Sequence, residues 1–147
     1  PRLSDVAESV TQDYVEGPGY IKLLRPEGEI DFVASPNLTT EPFELWQLMG
    51  RQVRVESSAE IVAKKLWHRG DRATARDLFD LALVIERERK SLESARKYLV
   101  RHREAFLSQL EQRKAVLKLQ FDAIDRLDYQ VTYDQALLLA GEFLRAL

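Results

Sequence analysis

The sequence predicts an α+β fold, a small antiparallel or mixed sheet followed by a helical bundle. Two observations predict it. Short runs rich in β-branched and aromatic residues, punctuated by glycine and proline, fill the chain up to residue 56. Past residue 57, apolar residues recur at three-, four- and seven-residue spacing behind recognisable helix starts. The boundaries expected are a β-rich part over 1–56 and a helical region over 57–147, the latter divided into helices over 57–90 and a tail over 91–147. At 147 residues the chain is long enough to bury a substantial core.

The elements follow in order. Leu3, Val6, Ala7 and Val10 lie at helical spacing and predict the end of a helix. Glu16-Gly17-Pro18-Gly19 then breaks the chain. Residues 20–24 (YIKLL) and 29–34 (EIDFVA) read as two strands of a hairpin. Arg25-Pro26-Glu27-Gly28 joins them, with proline and glycine placed as a turn requires. Alternation puts Ile30 and Phe32 on one face, Asp31 and Val33 on the other. Residues 41–50 (EPFELWQLMG) read as a short helix or loop anchored by Phe43, Leu45, Trp46 and Leu48, and 52–55 as a further short strand.

The first helix of the second part has Ser57 and Glu60 at the spacing of a capping box and runs to about Arg69, where Gly70 stops it. Thr74 and Asp77 form a second box. The helix behind it, reaching about Arg89, is apolar on most sides and ends in the solvated charge run ERERK, 86–90. Ser91 is placed to cap the next segment. There Leu92, Ala95, Leu99, Phe106, Leu110, Leu117, Phe121 and Ile124 predict one long helix, or two breaking near His102 and Arg103. Thr132 and Gln135 cap a final helix to Leu147.

Composition excludes several functions. There is no cysteine, so thiolate metal sites and disulfides are out. His68 and His102 lack companions at metal-ligand spacing and read as structural. The longest apolar run, 136–140, is too short to span a bilayer, and no signal peptide is visible, so a cytoplasmic location is expected. No phosphate-binding Gly-rich loop, nucleophile elbow or HExxH motif occurs.

Charge is unevenly spread. Residues 1–56 carry five Lys/Arg against ten Asp/Glu, and 77–147 carry twelve of each. Between them, residues 61–76 carry Lys64, Lys65, Arg69, Arg72 and Arg76 against Asp71 alone. One compact basic island favours a small anion such as a phosphate group over a broad nucleic-acid face.

Within the island, Lys65 and Arg69 share a helix face, and Lys64 and His68 form a second pair at the same spacing. Cations a turn apart cannot neutralise one another, so each needs an anion. The plain alternative is that their stems cover apolar surface while the charges stay in water. Asp77, at the third position of its helix, has a capping role in its own right. Asp80 sits among Phe79, Leu81, Leu83 and Val84; burying it unpaired is costly, so a partner such as Lys65 or Arg76 is expected. Asp31, a lone carboxylate between Ile30 and Phe32, is either an exposed-face residue or a ligand for a divalent cation acting on phosphates.

The blocks GYIKLLRPEGEIDFV and VESSAEIVAKKLWHRGDRATARDLFDL resemble the AbiEii/AbiGii-type nucleotidyltransferase toxins, relatives of the polymerase-β-like nucleotidyltransferase fold. The matching positions are Glu60, Ile61, Lys65, Leu66, Arg69, Ala75, Arg76, Asp77, Asp80 and Leu81. The resemblance implies nucleotide transfer from a nucleoside triphosphate, with Mg²⁺, in toxin–antitoxin or phage-defence systems. It implies Lys65, Arg69 and Arg76 as nucleotide-binding residues. It also implies Asp31, Asp77 and Asp80 as catalytic carboxylates, with Asp31 on the metal. A nucleoside triphosphate, an RNA acceptor and a cognate antitoxin are the partners it implies.

Members of that family carry an early Gly-Ser turn with paired aspartates, and Gly17-Pro18-Gly19 is not that turn. With Pro1 as first residue, the expectation is an N-terminally truncated nucleotidyltransferase, inactive as this piece, whose Mg²⁺ needs carboxylates found elsewhere. The alternative is a non-catalytic interaction module whose helical tail binds an antitoxin or a second copy.

Overall fold

The computed structural model describes residues 4–147, the side chains of Ala7 and Val10 excepted. The chain forms two compact units, Pro1–Pro36 and Asn37–Leu147. The class is α+β, with two small antiparallel sheets and a helical remainder.

The first unit holds helix α1, Asp5–Val10, and strands β1 (Tyr14–Gly17), β2 (Tyr20–Arg25) and β3 (Gly28–Val33) in the order β1-β2-β3. Leu3, part of the pattern that predicts the first helix, lies outside the described residues. The expected break at residues 16–19 is a hairpin turn: Gly17 faces Tyr20, and Gly19 has φ +83° behind Pro18. Proline followed by a glycine in that region suits a tight turn. The β2–β3 hairpin falls where the sequence puts it, with Arg25 opposite Gly28 and Lys22 opposite Asp31.

The second unit begins with a two-stranded hairpin, β4 (Phe43–Leu48) and β5 (Arg51–Glu56). This corrects the helix or loop expected over 41–50. Met49 and Gly50, at φ +49° and +75°, form a two-residue turn with both φ positive, which matches the twist of paired strands. Methionine is not a residue that announces such a turn, and its presence hides the end of β4 from the sequence pattern.

The helices follow as α2 (Ser58–Arg69), a 3-10 turn (Gly70–Arg72), α3 (Ala75–Ser94), α4 (Arg96–Leu99), α5 (Arg103–Gln112), α6 (Lys114–Asp122) and α7 (Tyr133–Ala146). The end expected near Arg89 is a kink at Glu88 (φ −139°, ψ 36°), beyond which α3 continues. Ser91 therefore lies inside a helix rather than capping one. Where one long helix, or two breaking near His102 and Arg103, are expected, the chain forms the end of α3 and three further helices, with breaks at 95, 100–102 and 113.

One apolar cluster unites these helices, with Leu78, Leu81, Phe106, Leu110, Phe121 and Phe143 among its fully buried members. Phe121 meets both Phe79 and Tyr133 edge to face, an arrangement aromatic rings favour. The buried Tyr133 hydroxyl donates to the Leu110 carbonyl at 2.7 Å, and burial pushes its pKa up to about 12. No helix among the described residues is long and apolar enough to cross a membrane.

Candidate functional site

The basic island folds into the junction of α2 and α3. Both helix starts form as their sequences require. Ser57 Oγ accepts from the Glu60 amide at 3.3 Å, and Thr74 Oγ1 accepts from the Asp77 amide at 3.3 Å. Only the second is a full capping box. Asp77 Oδ2 accepts from the Thr74 amide at 3.1 Å and from its hydroxyl at 2.7 Å.

That leaves Asp77 Oδ1 free to face α2. Arg69 donates to it at 2.6 Å, and the Lys65 ammonium lies 3.9 Å away. Lys65 donates to Asp80 Oδ2. Four of the six predicted site residues thus meet, two cations against two carboxylates. The burial is the reverse of what the neighbouring residues suggest: Asp77 is 2% exposed and Asp80 35%. Asp77 turns under the end of α2, while Asp80, one turn on, sits at the rim where Lys65 reaches it. The cations stay accessible, Lys65 at 25% and Arg69 at 43% exposure.

Two predicted residues remain. Arg76 is exposed on α3 and joins neither carboxylate. Asp31 belongs to the other compact unit, exposed on β3, with the Lys22 ammonium at 3.6 Å and Glu29 sharing that cation at 2.5 Å. Among the described residues no three His, Cys, Asp or Glu side chains converge as a metal site. The donor set for Mg²⁺ is not met by these residues.

Glu60 has a role that motif reading missed. It is fully buried, and its side chain does not return to the Ser57 amide as a capping box would have it. It accepts instead from the Leu38 amide at 2.9 Å, the Thr39 amide at 2.8 Å and the Thr39 hydroxyl at 2.7 Å. Lys64 lies 3.2 Å away and also donates to Glu56. Burial alone would raise the Glu60 carboxyl; the Thr39, Leu38 and Lys64 hydrogen bonds outweigh it and hold the pKa below the usual value. Lys64 is therefore a clamp on the β5 end and the 38–39 loop, and not a free cation beside Lys65. Nothing local in the sequence marks a contact reaching back over twenty residues.

A cavity of about 450 Å³ opens nearby in the second unit. Its lining includes Thr39, Glu41, Glu44, Ser57, Glu88 and Ser91 but no Lys or Arg, so its charge is wrong for an anion. The anion-compatible site is the Lys65–Arg69 edge.

Comparison with protein families matches residues 9–144 to the family described as "Nucleotidyl transferase AbiEii toxin, Type IV TA system". No curated protein and no solved structure gives a significant match. The matched span takes in both sheets and all of the helices from α2 to α6, including the junction that holds Lys65, Arg69, Asp77 and Asp80. The chain belongs to the AbiEii nucleotidyltransferase toxin family of type IV toxin–antitoxin systems.

Proposed function

We propose that the α2–α3 junction holds the phosphates of a nucleoside triphosphate during nucleotidyl transfer, with Lys65 and Arg69 as the anion-binding groups and Asp77 and Asp80 as positioning residues. The observation that carries this reading is the pairing of two accessible cations with two carboxylates, one of which the α3 cap locks in place. Asp77 cannot swing away without losing its bonds to Thr74. It therefore fixes the direction of Arg69, and Asp80 does the same for Lys65.

In nucleotidyl transfer an acceptor oxygen attacks the α-phosphorus, the bond to the β-phosphate oxygen breaks, and pyrophosphate leaves with its negative charge. Catalysis of such a step rests on positioning and on stabilising that charge. Preset cations at the leaving group supply both, because little reorganisation remains when the charge develops. Arg76, exposed one turn before Asp80, is near enough in sequence to add a further contact.

Titration of the chain with triphosphate and with pyrophosphate at low salt, followed by calorimetry or phosphorus NMR, tests this. Binding is expected, falling with salt; Lys65→Ala abolishes it, and Lys90→Ala, in the exposed charge run 86–90 within α3, leaves it intact. Equal loss in both variants, or no binding by the unaltered chain, removes the proposal.

A further inference from the structure

On the side of α2 away from Lys65, the α2–α4 corner carries an aromatic pair dressed with cations. Trp67 and Tyr98 meet edge to face, centroids 5.5 Å apart and planes at 85°. The Arg101 guanidinium lies 4.4 Å from the Trp67 ring centre, and the Lys97 ammonium 4.7 Å from that of Tyr98. Both rings are half-buried, and both cations are exposed.

Three facts make this more than ordinary surface. The stretch 96–103 (RKYLVRHR) contains four Lys/Arg and no Asp or Glu. Counting charge over the whole of 77–147, where both signs balance, hides this second basic stretch. Next, neither Lys97 nor Arg101 forms an ion pair among the described residues; Arg101 donates only to the Trp67 carbonyl, at 3.5 Å, besides covering the ring. By contrast Lys64, Lys65 and Arg69 on α2 are all committed to carboxylates. Finally, cation over ring is the combination that receives an unpaired base: aromatic and guanidinium planes stack on its face while the charges meet its phosphates.

We infer that the Trp67–Tyr98–Lys97–Arg101 corner is a binding surface for single-stranded nucleic acid, separate from the Lys65–Arg69 site. Recognition there is by stacking and charge, so it is indifferent to sequence and weak by itself. Two free cations set its salt dependence. Each phosphate neutralised contributes about −0.7 to the log–log slope for a single strand, which gives about −1.4 here. A duplex keeps its bases stacked inside and offers the rings nothing to receive.

Trp67 is its own reporter. In a Trp46→Phe chain it is the sole indole. Titrating that protein with short oligouridylate or oligothymidylate at low salt is expected to quench its fluorescence, with the predicted salt slope and little response to a duplex. Lys97→Gln and Arg101→Gln, both exposed and tolerable to the fold, each weaken binding by about fivefold and lower the slope by about 0.7. Arg87→Gln, which removes an exposed cation paired with Asp128, leaves binding unchanged. Unequal response to the uridylate and thymidylate strands identifies RNA or DNA as the ligand, either of which supports the surface. Lys65→Ala separates this site from the triphosphate site, because it removes phosphate binding and not the quench. No quench, equal binding of duplex, or equal loss in Arg87→Gln overturns the inference.

Discussion

Asp77 spends each carboxylate oxygen on a different helix. Oδ2 closes the start of α3 through Thr74, and Oδ1 receives the end of α2 through Arg69. A buried carboxylate satisfied on both sides is costly to remove, because its former donors are left behind without water. Asp80 has one partner and a third of its surface in solvent, where an ion pair contributes little. Asp77→Ala is therefore expected to destabilise the protein by about 3 kcal/mol, and Asp80→Ala by no more than about 1 kcal/mol. Urea melts of the two variants rank them; a larger loss at Asp80 contradicts the division of roles.

Gly70 shows how an element can end for a reason unrelated to the usual one. A glycine after a helix ordinarily serves by taking a positive φ. Here φ is −60° and ψ −22°, values open to any residue. What the position lacks is room: an added Cβ would stand 2.9 Å from His102 Cβ, where the chain enters α5. Gly70→Ala is expected to cost about 1–3 kcal/mol by overpacking. His102→Ala keeps the offending atom and gives no rescue, whereas His102→Gly relieves the clash in a double-mutant cycle read by thermal melts. Elements set by local chemistry were legible in the sequence: the Ser57, Thr74 and Thr132 caps, the 20–33 hairpin, and the position of Gly70. Those set by distant contacts were not. The β4–β5 turn has Met49 where a turn former is usual, and the sequence neighbours of Asp80 are apolar although it points to the rim. Of the candidate site, Lys65 was legible as one of two partners for Asp80, from the cost of leaving a carboxylate unpaired among apolar neighbours; the Arg69–Asp77 bond depends on how α2 and α3 meet in space.

For the second unit as a whole, Glu60 joins the parts. One carboxylate fastens the 38–39 loop to α2, and Lys64 carries the tie on to Glu56 at the end of β5. Because its folded pKa lies below the ordinary value of 4.5, the stabilisation is complete above that pH and is lost as pH falls through the folded value. The acid limb of the stability curve should thus steepen below about pH 4.5. Glu60→Gln, which carries no charge to titrate, is expected to be less stable at neutral pH and flatter in that limb. Denaturant melts across pH 3–7 check it, and parallel curves for the two proteins would contradict the assignment. The β4–β5 hairpin beyond this tie has a consequence for handling the protein. Leu45, Trp46, Leu48 and Met49 are all exposed, and among the described residues the two strands pair only with each other. A short ribbon with open edges and apolar side chains in water is a template for a neighbouring molecule's strand. Concentrated samples should therefore self-associate first at this ribbon, and a lysine in place of Leu45 is the change that would keep them dispersed.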